Sequence, residues 1–289
     1  MIHKLTDTSY IKYLLNKYTT TNAKKKFGQN FLISEHVLNQ IIETAQIEPT
    51  DTIVEIGPGL GVLTRELCLR AGKIISIEKD RDMLRVLQET ILDDTRGARE
   101  KTTILEQDAL RFNIETINTP YKLVANLPYN VATAILQNFL VNTAHTKHQP
   151  TRIAVLVQKE VAEKACAKTG DHNVLSLTLQ PFGKPEIIAH VPPGSFFPSP
   201  KVTSSILLIT PYETPLLPQE LTKPYFRFIH AAFSQKRKML GKSLQQIASK
   251  ETIIQLLTKA NIPPEIRPQE LTLEHWLTIA SLAGQKGLS

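Results

Sequence analysis

Residues 52–61 read TIVEIGPGLG, and this stretch decides the fold. It begins with an apolar run of strand length and ends with glycines at 57, 59 and 61, after which a helix is predicted to begin near Val62. A continuously apolar strand is typical of a parallel sheet covered on both faces. Glycines in the following turn let the backbone approach a ligand that a Cβ atom would block. The stretch therefore predicts a strand, a ligand-binding turn and a helix within an α/β domain.

Short apolar runs alternate with helical stretches beyond this unit, which is the pattern of a sheet wrapped by helices on both faces. In addition to 52–56, strands are predicted at residues 74–78, 103–107, 122–125, 153–158, 186–191 and 204–210. Together they predict a Rossmann-like, doubly wound and mostly parallel seven-stranded sheet. The last two strands flank a proline-rich loop at 192–201.

Prolines at 211, 215 and 218 punctuate a linker that ends this domain. Helical periodicity follows at 225–246 and 251–260. We therefore predict a catalytic domain at 1–211 and a small all-helical domain at 212–289. Residues 1–26 are expected to form an N-terminal extension with a short amphipathic helix.

Composition narrows the class of protein. The 289 residues carry a formal net charge of +7 and are 42% hydrophobic, so the chain can bury a full core and favours polyanionic partners such as RNA. Its two cysteines, Cys68 and Cys166, lie far apart and indicate neither a disulfide framework nor a metal site. No apolar run approaches the roughly 20 residues of a membrane span. The expected location is the cytoplasm, with no membrane partner.

Three acidic side chains follow or end predicted strands at one edge of the sheet. Glu55 opens the glycine turn, where it would repel a phosphate and attract a cation, which favours S-adenosylmethionine over a dinucleotide. Glu78 ends the second strand about 20 residues later, the separation expected of a ribose ligand. Asp108 follows the third strand and can accept a hydrogen bond from an adenine amine. The alternatives are that Glu55 caps a turn and that Asp108 caps a helix.

Residues 126–129 read NLPY after the fourth strand, at the same edge of the sheet. The side-chain oxygen of Asn126 and the carbonyl of Leu127 can accept the two hydrogens of an adenine amine and aim its lone pair at a methyl donor. Pro128 stiffens the peptide that presents these acceptors. Tyr129 is expected to stack on a flipped base. The alternative is a proline turn with a buried tyrosine.

These motifs, with FGQNFL at 27–32, QDA at 107–109, QKEV at 158–161 and the loop at 192–202, resemble those of the ribosomal RNA adenine N6,N6-dimethyltransferase family over most of the chain. The resemblance implies a class I methyltransferase fold. It implies an enzyme that uses S-adenosylmethionine to dimethylate two adjacent adenines in the 3′-terminal hairpin of 16S rRNA, within the immature small ribosomal subunit. It also implies a monomer without a metal.

The resemblance further assigns residues to the cofactor and to the target base. Phe196 would sandwich the base opposite Tyr129, with Phe197 beside it as a core residue. Asn126 would touch both cofactor and target. The cofactor residues implied are Gln29, Asn30, Leu32, Glu55, Gly57, Gly59, Glu78, Asp108, Ala109 and Asn126.

One segment departs from the family. Where its members usually read Tyr-Gly-Arg-Leu-Ser, residues 172–176 read HNVLS, without the glycine and the arginine. We expect an altered grip on RNA at this segment and unchanged methyl-transfer chemistry.

Two basic clusters are expected to contact RNA phosphates. Residues 233–238 resemble the basic helix of the family's C-terminal domain. The residues of the two clusters are Lys24, Lys25 and Lys26, and Lys236, Arg237, Lys238 and Lys242. The alternative for either cluster is a solvated face.

Three other functions are compatible with parts of this pattern. A large-subunit rRNA enzyme of the erythromycin-resistance type has similar motifs, but the longer C-terminal domain disfavours it. A ribosome-assembly or mitochondrial transcription factor would use the fold mainly to bind nucleic acid, and the intact Asn126 and Tyr129 argue against that. Methylation of a protein glutamine usually requires proline where this chain has Leu127.

Overall fold

The structure is a computed structural model that describes residues 4–18, 29–93, 97–235 and 238–288. The chain divides into two compact units. The first comprises Met1–Ala162 and Pro185–Pro211, and the second comprises Glu163–Lys184 and Tyr212–Ser289.

A seven-stranded sheet forms the centre of the first unit. Its order is β4-β3-β2-β5-β6-β9-β7, in which β2 to β6 pair in parallel and β9 is antiparallel to β6. A separate antiparallel pair, β1 and β8, joins Phe31 to Phe197 and Leu32 to Phe196. The strands are β1 Phe31–Leu32, β2 Thr52–Ile56, β3 Lys73–Glu78, β4 Thr102–Glu106, β5 Tyr121–Asn126, β6 Arg152–Gln158, β7 Gly183–Val191, β8 Phe196–Phe197 and β9 Ser204–Pro211. The predicted mostly parallel, seven-stranded sheet is confirmed.

Two helices of the first unit begin at side-chain caps. Asp80 caps α4 through its carboxylate, and Ser34 caps α2 through its hydroxyl. All five residues of β2 are buried, as expected of a strand covered on both faces. The helices up to residue 165 are α1 Thr8–Tyr18, α2 Glu35–Ala45, α3 Val62–Arg70, α4 Arg81–Leu87, α5 Ala98–Lys101, α6 Ala132–Leu136 and α7 Lys159–Ala165.

The amphipathic helix expected near the N-terminus is α1. Ile11, Leu14 and Leu15 lie on one face and are buried in the main hydrophobic core. Their spacing of three and four residues is that of a helix with a single apolar stripe. The helix is thus packed by its apolar face onto the first unit.

The second unit is helical. Trp276 is fully buried in its core, and its ring lies 6.0 Å from that of Phe233. Its helices are α8 Val174–Leu179, α9 Thr222–Phe233, α10 Leu240–Ser243, α11 Lys250–Lys259 and α12 Leu273–Gln285.

Two predictions about this region are wrong. The continuous helix expected at 225–246 is interrupted after Phe233 and begins again at Leu240. The backbone N–H groups of Leu240 and Gly241 donate to the carbonyls of Ile266 and Pro264, and these long-range bonds are incompatible with an unbroken helix. Local periodicity carries no information about such partners.

The second wrong prediction is the assignment of residues 163–184 to the first domain. This segment groups with the C-terminal helices. The Tyr225 hydroxyl donates to the carbonyl of Leu177 at 2.8 Å, and the N–H of Tyr212 donates to the carbonyl of Phe182 at 3.0 Å. The chain thus contributes to the helical unit before it completes the sheet.

Within the described ranges, no helix is both long and apolar enough to cross a membrane.

Candidate active site

One cavity of about 230 Å³ opens at the carboxyl ends of the central parallel strands. Gly57 follows β2, Glu78 ends β3 and Asn126 ends β5, while Asp108 lies just beyond β4. All four line this cavity, as the sequence predicts for neighbouring parallel strands. The other predicted site residues that line it are Gln29, Asn30, Leu32, Glu55, Gly59, Ala109, Leu127, Pro128 and Tyr129.

The glycine turn has the backbone geometry that the sequence predicts. Gly57 and Gly59 adopt φ values of +66° and +57°, in the left-handed region that favours glycine. A Cβ atom at Gly59 would lie 3.2 Å from the Phe31 ring, so the turn packs closely against the β1 strand. The turn leaves a cradle that a side chain at either glycine would distort.

Glu55 is held inside the protein. Its Oε2 atom accepts hydrogen bonds from the hydroxyls of Thr64 at 2.7 Å and Ser76 at 2.9 Å, and the side chain is 1% exposed. Burial raises the pKa of this carboxyl from 4.5 to about 7, and the nearby Glu78 adds to the shift. Glu55 is therefore an internal acid at the base of the cavity, and its negative charge at neutral pH is partial.

The raised pKa makes Glu55 a source of pH-dependent stability. The folded chain retains a proton that the unfolded chain releases between about pH 4.5 and pH 7, so the free energy of unfolding falls as the pH rises through that window. Glu55→Gln keeps an oxygen acceptor and removes the titration. We expect the stability of this variant relative to the parent to rise by about 1 to 3 kcal/mol between pH 5 and pH 8, measured by urea unfolding without cofactor.

A matched control is Glu106→Gln, which removes an exposed carboxylate from β4, the edge strand of the same sheet. A Glu55→Gln difference that stays constant between the two pH values would contradict the role given to burial.

The Glu78 carboxylate accepts three backbone hydrogen bonds. Its Oε1 atom accepts from the backbone N–H groups of Lys79 and Asp80, both at 2.8 Å, and its Oε2 accepts from that of Gly59 at 3.3 Å. Burial raises the pKa of Glu78. The carboxylate thus links the end of β3 to the glycine turn.

Asp108 lies on the open side of the same cavity. The backbone N–H of Leu110 and the Lys79 ammonium, 3.4 Å from Oδ2, lower the pKa of this carboxyl despite partial burial. Asp108 is therefore an ionised acceptor at neutral pH. Lys79 also lines the cavity, and sequence analysis missed it, although its position directly after Glu78 was a usable signal.

The Asn126 side chain has a defined orientation. Its Nδ2 donates to the carbonyl of Asn30 at 3.1 Å. With the amide fixed in this way, Oδ1 is the acceptor left at the cavity. Leu127 is buried, and its own N–H donates to the carbonyl of Leu156 at 3.0 Å.

Pro128 and Tyr129 complete the predicted tetrapeptide. A Cβ atom at Gly57 would lie 3.5 Å from the Pro128 ring, an ordinary van der Waals distance, so the glycine turn and Pro128 are neighbours in the cavity wall. The Tyr129 ring is half-buried, and its hydroxyl lies 2.6 Å from the Ser204 hydroxyl.

Phe196 does not occupy its predicted position. The ring is 2% exposed, belongs to the main hydrophobic core and is absent from the cavity wall. Pairing of β8 with β1 sets Phe196 opposite Leu32, and alternation along the strand leaves Phe197 as the partly exposed ring. Phe197 packs against the same core and is likewise absent from the cavity wall, so the structure brings neither ring of this short strand to the cavity.

Gln29 begins the described part of the 27–32 motif, which carries three of the cofactor residues that the resemblance implies. Its Nε2 donates to Asp80 Oδ2 at 2.9 Å, close to the end of β3. The segment is thus attached to the strand that carries Glu78.

The predicted RNA-binding residues are only partly described. Lys238 and Lys242 are exposed in the second unit. Lys24, Lys25, Lys26, Lys236 and Arg237 lie outside the described residues. In the departing segment, His172 is buried and contacts the Ser176 hydroxyl at 3.2 Å, while Asn173 caps α8. Both residues therefore have structural roles.

Comparisons with known proteins agree with this geometry. The model of the family described as ribosomal RNA adenine dimethylase matches residues 20–285. Ribosomal RNA small subunit methyltransferase A of Dehalococcoides mccartyi is 40% identical over 270 residues, which cover 92% of this chain and 89% of that protein. The protein of the same name from Lachnoclostridium phytofermentans is 35% identical over 286 residues, covering 94% and 95%.

Two solved structures share the fold. A dimethyladenosine transferase from Plasmodium falciparum aligns with a TM-score of 0.74 at 23% identity, covering 89% of this chain and 98% of that one. The 23S rRNA methyltransferase ErmE aligns with a TM-score of 0.68 at 24% identity, covering 88% and 99%. These likenesses confirm the class I methyltransferase fold. With the family match over most of its length, the chain belongs to the ribosomal RNA adenine dimethylase family.

Proposed function

We propose that this chain dimethylates N6 of two adjacent adenines in the 3′-terminal hairpin of 16S rRNA, and that it acts as a monomer on the immature small ribosomal subunit. The observation that carries the proposal is the oriented Asn126 amide beside Leu127 at the cavity that Glu78 and Asp108 line. The relatives named small subunit methyltransferase A support the choice of subunit. A ribosomal substrate also supports the expected cytoplasmic location.

Members of this family are S-adenosylmethionine-dependent rRNA adenine dimethyltransferases, so the expected enzyme class and cofactor are confirmed. The cavity suits such a ligand, because it combines two carboxylates with a glycine cradle that a Cβ would fill. Glu78 would hold ribose hydroxyls and Asp108 the adenine amine. When bound, S-adenosylmethionine supplies an electrophilic methyl group.

The residues of the 126–129 turn would act on the target base. Asn126 Oδ1 and the Leu127 carbonyl would accept the amine hydrogens, which localises the nitrogen lone pair and directs it toward the cofactor side of the cavity. Tyr129 would stack on the unpaired adenine and tolerate the positive charge that develops on nitrogen. Neither acceptor is a strong base, and none is needed for an amine that loses its proton after methylation.

The basic residues would hold the RNA. The net charge of +7 supports contacts with phosphates, which make affinity depend on salt. Lys24, Lys25, Lys26, Lys236, Arg237, Lys238 and Lys242 are the proposed contacts. His172 and Asn173 are not, since their side chains are engaged within the helical unit.

The test uses immature small subunits from a strain that lacks its own adenine dimethyltransferase. We expect the full chain with labelled S-adenosylmethionine to transfer four methyl groups to each subunit, mapped by mass spectrometry to two adjacent adenines near the 3′ end of 16S rRNA. Large subunits are the matched substrate control. Methylation confined to large-subunit rRNA, or binding without transfer, would overturn the proposal in favour of the alternatives named above.

A further inference from the structure

The Tyr129 hydroxyl is bonded to a residue that no motif of the site includes. It lies 2.6 Å from the Ser204 hydroxyl, within the usual range for two hydroxyl groups. Ser204 is completely buried at the start of β9. Across the described residues, this is the one side-chain hydrogen bond recorded for either hydroxyl. The contact therefore satisfies a buried polar group and restrains an aromatic ring at the cavity at the same time.

The Ser204 end of this contact is rigid. Ser204 pairs with Gln158 in the antiparallel ladder of β9 and β6, and the N–H of Lys159 donates to the carbonyl of Thr203 next to it. Ser204 is thus part of the central sheet, although it follows the proline-rich loop in sequence. A hydroxyl in this position has little freedom to move with a loop.

The other end of the ring is restrained as well. Tyr129 follows Pro128, whose φ is fixed by its own ring and whose side chain packs close to Gly57. Burial raises the pKa of Tyr129, so its phenol stays neutral and serves as a hydrogen-bonding group. The aromatic ring is consequently fixed both at its backbone and at its para position.

We infer that Ser204 is a positioning residue for methyl transfer, which holds the Tyr129 ring in the orientation that stacks on the target adenine. The inference rests on the proposed function. A ring that is already oriented does not lose rotamer freedom when the base arrives, and the base amine meets the acceptors of the 126–129 turn in a narrower range of positions. Removing the Tyr129–Ser204 hydrogen bond at either residue should therefore slow methyl transfer to the same extent.

The experiment is a double-mutant cycle on immature small subunits with saturating labelled S-adenosylmethionine. Ser204→Ala and Tyr129→Phe each remove the hydrogen bond, and Tyr129→Phe keeps the stacking ring. We expect each to lower kcat about three- to tenfold, the range that the loss of one hydrogen bond supports. The double variant should be no slower than the slower single variant. Cofactor affinity, measured by calorimetry, should not change.

Ser205→Ala is the matched control. Ser205 is the next residue of β9, is equally buried, and bonds to His190 Nδ1 at 2.9 Å. Ser205→Ala should keep the kcat of the parent, even if the loss of this buried bond lowers the stability of the fold. Full activity of Tyr129→Phe, additive losses in the double variant, or an equal loss in Ser205→Ala would each overturn the inference. Failure of the parent chain to methylate small subunits would instead reject the proposed function.

Discussion

Replacing Asn126 with alanine is expected to lower the rate of methyl transfer at saturating cofactor on the order of 100-fold or more. The substitution removes the Oδ1 acceptor and the bond from Nδ2 to the Asn30 carbonyl that orients it. An adenine amine that loses one of two acceptors keeps its lone pair delocalised into the ring and stays planar, so the lone pair is not directed toward the methyl donor. The measurement is single-turnover transfer from labelled S-adenosylmethionine to immature small subunits, with calorimetric binding of the cofactor in parallel.

Asn142→Ala serves as the control for this measurement. Asn142 is exposed beyond the end of the helix that begins at α6, and its amide bonds only to Asn138 within the described chain. Its variant should transfer methyl groups at the parent rate. If Asn126→Ala retained the parent rate while it bound cofactor normally, the acceptor role of this amide would be rejected.

The sheet was predictable because most of its strands are continuous apolar runs that can be recognised in the local sequence. The apolar runs around β2, β3, β5 and β6 are buried on both faces, so their position does not depend on a particular partner. The predicted bounds differ from the observed ones by one or two residues at most of these strands. Since parallel strands end at the same edge, the clustering of Gly57, Glu78, Asp108 and Asn126 followed from sequence order alone.

Features that depend on distant partners were not predictable in this way. Whether Phe196 or Phe197 faces the core is decided by pairing with β1, more than 160 residues earlier in the chain. The break after Phe233 is decided by the carbonyls of Pro264 and Ile266. Neither contact leaves a periodic signal. The periodicity at 225–246 therefore predicted one long helix, and the assignment of Phe196 to the site came from the family resemblance alone.

The charge states of the acidic residues at the site could not be predicted from the sequence either. The sequence predicts that Glu55 attracts a cationic ligand, whereas in the structure burial raises its pKa to about 7 although Thr64 and Ser76 donate hydrogen bonds to it. Asp108, by contrast, is held ionised by a backbone N–H and by Lys79. Two acids at similar places in the sequence thus differ in charge because their solvent exposure and hydrogen-bond donors differ.

The second large effect is expected from Glu78→Ala, which should raise the dissociation constant of S-adenosylmethionine about 5- to 150-fold, equivalent to about 1 to 3 kcal/mol. The variant loses the proposed acceptor for the ribose hydroxyls. It also leaves three backbone N–H groups, those of Gly59, Lys79 and Asp80, without their carboxylate, which loosens the glycine turn. Calorimetry on the isolated chain measures the affinity directly, without RNA.

Two further variants separate the ribose contact from the change in charge. Glu106→Gln removes a carboxylate that pairs in register with Glu78 but is exposed and bonded to Arg81, so its affinity should equal that of the parent. Glu78→Gln keeps one oxygen for the backbone donors and lacks the second, and it should give an intermediate loss. An unchanged affinity in Glu78→Ala would show that the ribose is held elsewhere. Equal losses in Glu78→Gln and Glu106→Gln would mean that net charge at this edge of the sheet, and not a positioned acceptor, governs cofactor binding.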